Sequence, residues 1–127
     1  MADQNPSVTL LRRLQRRTED GGLAWQESTS ANAFLTAFGD HSVEVSDLGS
    51  DYSPDYAVRI LDDEGHLIEE ITLHDVEILM NSGNLSLKLM RELFVAARRS
   101  ARGADRVVKS ILDSLGHDDD DESPFDP

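Results

Sequence analysis

The sequence predicts an α+β fold, an antiparallel β-meander of about five strands packed against an N-terminal and a C-terminal helix. Three observations carry this expectation. Apolar residues recur at helical spacing near both ends of the chain. Between those ends the apolar period falls to two, and the period-two runs are joined by short turns. Helices and strands segregated into blocks are the pattern of α+β domains, and short turns between successive strands require antiparallel pairing. A chain of 127 residues is long enough for one self-sufficient core. We assign residues 1–116 to a single domain and residues 117–127 to a disordered acidic tail.

The first helix starts at Asn5-Pro6-Ser7, where Asn5 or Ser7 can cap the free amides and Pro6 suits the first turn. Leu10, Leu11, Leu14 and Thr18 then share one face, with Arg12, Arg13 and Arg16 on the other. Gly21-Gly22 ends the helix. Leu23 to Glu27 reads as a strand with Leu23 and Trp25 on one side. Phe34 to Phe38 and Val43 to Ser46 follow, separated by the Gly39-Asp40 turn. Residues 47–55, rich in Asp, Gly, Ser and Pro, form a loop. Tyr56 to Leu61 and His66 to Leu73 are the last strands, joined through Asp62-Asp63-Glu64-Gly65, where Gly65 supplies the positive φ of a tight turn. A short helix covers Asp75 to Met80.

The remainder is the most periodic segment. At 100° per residue, Leu89, Leu93, Ala96, Ala97, Ser100, Ala104, Val107, Ile111 and Leu115 fall on one broad face. The phase holds across Gly103, so one helix, kinked at that glycine, is expected over two unrelated ones; a glycine inside a helix costs ~1 kcal/mol, which keeps a break between 102 and 105 as the alternative. The predicted core is Leu10, Leu14, Trp25, Phe34, Phe38, Val43, Val45, Val58, Ile60, Ile71, Leu89, Leu93, Val107 and Ile111. Trp25, the single tryptophan, is expected to anchor the sheet against a helix.

Charge is sharply partitioned. Residues 19–77 carry fifteen acids against the single Arg59, and the other eleven basic residues lie in the two terminal helical segments. Arg91, Arg98, Arg99, Arg102, Arg106 and Lys109, with Lys88, gather opposite the apolar face of the C-terminal helix, and those six are the candidate interaction surface. A net charge of −13 repels nucleic acid and anionic membranes at long range.

Catalytic and cofactor signatures are absent. The chain has no glycine-rich phosphate loop, nucleophile elbow or His-Glu-x-x-His. Without cysteine, disulfides and thiolate chemistry are excluded. His41, His66 and His74 lie near turns or strand ends beside acids. They make a metal-dependent enzyme conceivable only if the hairpins bring them together. The acids at 47, 51 and 55 and the turn at 62–64 read as a solvated negative face. No catalytic, cofactor-binding or metal residue is therefore assigned, and no cofactor is expected. There is no apolar run of a signal peptide or of a membrane span, so a cytoplasmic protein is expected.

Leu11-x-x-Leu14, Gly22-Leu-x-Trp25, Ile60-Leu-Asp-x-x-Gly65-x-Leu-Ile-Glu69 and Leu89-Met-Arg-Glu-Leu-Phe94-x-x-Ala97-Arg-Arg-x-Ala101-x-Gly103 are the segments that carry a family likeness. On them the chain resembles a set of small bacterial and phage-associated α+β proteins without an established activity. The resemblance implies the order of elements and no catalytic residue. The function expected is that of a non-enzymatic accessory or regulatory factor docking on a protein partner. The competing readings are a nucleic-acid binder using the basic helix faces and a metal-dependent enzyme built on the histidines.

Residues 117–127 hold six acids and two prolines, too polar to bury, and directly follow the basic stripe. Only a transient contact with it is expected, because such a contact would be solvent-exposed, screened over ~8 Å at physiological salt, and opposed by chain entropy. Deleting 117–127 should leave the melting temperature almost unchanged and raise any weak polyanion affinity at low salt. A large loss of stability would show the tail to be an integral element.

Overall fold

The computed structural model describes residues 5–116; the expected disordered tail at 117–127 lies outside them. The element order is α1 (Pro6–Glu19), β1 (Gln26–Glu27), β2 (Ala33–Phe38), β3 (His41–Asp47), β4 (Tyr56–Leu61), β5 (Leu67–Thr72), α2 (Leu73–Met80), α3 (Gly83–Ala101) and α4 (Ala104–Leu115). The sheet is an antiparallel meander in the order β1-β2-β3-β4-β5, and the α+β architecture is as predicted.

Helix α1 begins as expected: the Asn5 side chain accepts from the Ser7 amide at 2.8 Å and Pro6 opens the first turn. It buries Val8, Leu11, Leu14 and Thr18, while Leu10 packs only at the margin of the core. Helix α2 starts with a reciprocal cap. Thr72 Oγ1 accepts from the Asp75 amide at 3.1 Å, and the Asp75 carboxylate accepts from the Thr72 amide at 3.0 Å.

The strand register sorts the two sheet faces. Phe34, Val45, Val58 and Ile71 stand opposite one another across four strands, and all four are buried. On this face lies α3, which touches β1 to β4 and buries Leu89, Met90, Leu93, Phe94 and Ala97. Phe94 meets Phe34 and Tyr56 with ring centroids 5.5 Å and 5.8 Å apart, both tilted, within the favoured range for aromatic pairs. Helix α1 packs alongside α3, and α2 contacts both.

The other sheet face carries the row Leu35, Glu44, Arg59, Glu70. Arg59, the single cation of the acidic middle, lies 2.9 Å from Glu70 and 3.9 Å from the buried Glu44. The Ser28 hydroxyl donates to Glu44 as well. A buried carboxylate needs such partners, because an uncompensated charge in low dielectric is costly.

Four expectations are corrected. The run from Leu23 to Glu27 pairs only at Gln26 and Glu27, because the preceding backbone is held by side chains instead. Phe38, at the end of β2 beside the Gly39-Asp40 turn, is 41% exposed. Ile60 is only partly buried at the edge of the core. The C-terminal helix is two helices, and Val107 and Ile111 are not in the core. Gly103 takes φ +63° between α3 and α4, a left-handed conformation that interrupts helical hydrogen bonding. A Cβ at 103 would also collide with the Arg106 guanidinium.

Leu93 is fully buried whereas Ile111 is more than half exposed. Leu93→Ala should therefore cost about 2–5 kcal/mol. Ile111→Ala should cost less than about 0.5 kcal/mol, and Arg98→Ala, whose guanidinium lies 5.5 Å from the Phe94 ring centre, about 0.5–1 kcal/mol. Thermal and chemical denaturation at low protein concentration measures all three.

The Asp75 carboxyl is held below the usual aspartate range, first by the Thr72 amide and then by the Thr72 hydroxyl. Asp62 is lowered chiefly by the His66 amide at the β4–β5 turn. A depressed carboxylate contributes stability above its unfolded pKa and loses it as pH falls through its folded pKa. The melting-temperature difference between the native chain and Asp75→Asn should thus be full at neutral pH and shrink as the pH drops below about 4.

Candidate functional site

Between α1 and β1, residues 22–25 belong to no helix or strand and are held by side chains of three elements. The Trp25 indole N–H donates to Thr18 Oγ1 at 2.9 Å, and the Thr18 hydroxyl donates to the Leu14 carbonyl at 2.6 Å. The Trp25 amide donates to Ser100 Oγ of α3 at 3.1 Å, and the Thr36 hydroxyl of β2 donates to the Ala24 carbonyl at 2.7 Å. Trp25 is buried, as the sequence predicts, but as a strut between α1, α3 and β2 rather than as a strand residue.

The segment so tied to α3 borders a groove of about 680 Å³ between the C-terminal end of α1, residues 21–24, and the α3–α4 junction. Its aliphatic lining comes from Leu23, Ala24, Val95, Ala96 and Ala104. Its charged lining comes from Arg91, Arg99 and Arg106 against Glu19, Glu92 and Asp105. Small residues on α3 create the depression, because alanine and serine leave room beside the helix that larger side chains would fill. Gln15 bridges the same two helices, donating to Glu92 at 2.9 Å and to Glu19 at 3.1 Å.

The six predicted surface residues fall into three settings. Arg91, Arg99 and Arg106 line the groove. Arg98 and Arg102 lie over the sheet-side aromatics, 5.5 Å from the Phe94 and Phe34 ring centres respectively, and Arg102 also approaches Glu27 at 3.5 Å. Lys109 is exposed on α4. The stripe is therefore not one continuous basic face, since the break at Gly103 puts Arg106 and Lys109 on a second helix axis. Arg99 pairs with Asp105 at 2.8 Å across that break.

Sequence reasoning missed Leu23, Ala24, Val95 and Ala96 as groove residues. The signal was present in the run of small residues at 96, 97, 100, 101 and 104, which marks a shallow helix face but not what stands opposite it.

The histidines do not converge with acids into a ligand set. His66 sits 3.6 Å from Asp62 and 3.5 Å from Glu64 in the β4–β5 turn, and His74 lies 3.9 Å from Glu77 on α2. His41 begins β3. Among the described residues no group of three or more His, Asp or Glu is placed to hold a metal ion. No described helix is long and apolar enough to cross a membrane.

No protein-family model, no curated protein and no solved structure matches the chain. What it binds has to be inferred from its own geometry.

Proposed function

We propose that the chain is a non-enzymatic docking factor whose groove receives an aliphatic segment of a partner protein flanked by charges of both signs. The observation that carries this is the groove itself. Its lining is aliphatic and built mostly of small side chains, with Arg91, Arg99 and Arg106 beside Glu19, Glu92 and Asp105. Apolar concavities with a few convergent polar groups are the usual form of binding sites. Amphipathic segments seat their apolar anchors in such grooves while charged rims fix register and speed encounter.

The nucleic-acid alternative is weaker on the same geometry. Phosphate binding needs cations free to meet a backbone. Here Arg99 is paired with Asp105, Arg102 approaches Glu27, and Arg98 lies over Phe94.

Trp25 provides the assay, as the single tryptophan and one hydrogen bond from the groove residue Ser100. The full chain is titrated with an amphipathic peptide bearing leucines flanked by glutamate and lysine, and separately with a generic DNA duplex. The peptide should shift Trp25 emission, and Ala96→Arg, which fills the groove, should weaken binding at least tenfold. Arg91→Glu with Arg99→Glu should weaken it several-fold. Tight DNA binding with a steep loss of affinity on adding salt would replace this reading with the nucleic-acid one.

A further inference from the structure

Helix α4 stands apart from the core that orders the rest of the chain. None of its described residues is buried, and its substantial contact among the described residues is with α3, the helix it follows. Val107, Val108, Ile111, Leu112 and Leu115 are 51% to 65% exposed. With Ala104 they occupy an arc of about 140° at 100° per residue, and Asp105, Arg106, Lys109, Ser110, Asp113 and Ser114 fill the remainder. No side chain caps the helix N-terminus, and isolated helices shorter than about 12–15 residues are marginal in water. A 12-residue uncapped helix with five bare aliphatic side chains is a helix that needs a cover.

The geometry points to a second copy of this chain as that cover, with two α4 helices pairing antiparallel about a twofold axis. Charge is the first reason. Helix α4 has two acids, Asp105 and Asp113, and two bases, Arg106 and Lys109, so two copies of it meet without net charge repulsion.

Self-complementarity is the second reason, because a twofold interface must match itself. The midpoint of α4 falls between Lys109 and Ser110. A twofold there sets Ala104 against Leu115 of the second copy, Val107 against Leu112 and Val108 against Ile111. Each smaller residue of the first half meets a larger one of the second half, the size alternation that lets facing helices interdigitate.

Other covers fit less well. Residues 117–127 contain six acids and one aromatic, Phe125, too polar to cover five aliphatic side chains. An anionic lipid surface would meet a strongly acidic protein whose amphipathic helix brings only two cations, against the basic polar face such helices use. Covering five half-exposed aliphatic residues removes on the order of 500 Å² per copy, near the lower bound for a specific interface. The pairing is accordingly a concentration-dependent equilibrium. Val107, Val108, Ile111, Leu112 and Leu115 lie outside the groove lining, so the pairing stands or falls separately from the docking function.

The test is sedimentation of the full chain over a wide concentration range. The native protein should pass from a 14.1 kDa species to one of twice that mass as concentration rises. Ile111→Lys should remain monomeric, with an unchanged far-UV spectrum and melting temperature at low concentration. A native chain that stays monomeric to millimolar concentration overturns the proposal, as does an Ile111→Lys dimer. Binding of the monomer to phosphatidylglycerol vesicles that Ile111→Lys abolishes would assign α4 to a lipid surface instead.

Discussion

The extended segment Leu23–Trp25 is the constraint from which the site follows. Its backbone has no strand partner, yet Trp25 is buried, so its polar groups must be satisfied by side chains. Thr18, Thr36 and Ser100 do so, one each from α1, β2 and α3. These bonds set how far the end of α1 stands from α3, and hence the width of the groove between them. The aromatic contacts of Phe94 with Phe34 and Tyr56 fix the other side of α3 against the sheet. Helix α3 is thus clamped on the sheet side and open on the groove side.

Electrostatics in this molecule are mostly local. The acidic middle keeps one cation, Arg59, and uses it between two carboxylates on adjacent strands. The basic stripe is divided in the same way, with some arginines stacked on aromatic rings and others paired with acids. Counting charge along the chain locates the cations, but the free surface they offer is smaller than the count implies.

Gly103 separates the two parts of the molecule that meet the outside. Before it, α3 is a core helix with a shallow outer face. After it, α4 is an amphipathic helix with no core to join. The apolar phase shared by the two helices made them look like one, because periodicity records where apolar side chains fall around an axis and carries no information about whether the axis is continuous.

Local chemistry alone determined the caps and turns of α1 and the β4–β5 hairpin, the period-two strands, and the apolar stripe of α3. Asn5-Pro6, Gly65 and the alternation from Val43 to Ser46 act within a few residues of themselves, so they are legible without a fold. Tertiary structure decided the rest. Leu23 failed to pair as a strand because Thr36 and Ser100, twelve or more residues away, took its neighbours' backbone groups. Phe38 and Ile111 stayed exposed because burial requires a surface opposite, and no sequence window shows whether one is there. The groove exists for the same reason: its walls come from segments about seventy residues apart, and only their packing makes a cavity between them.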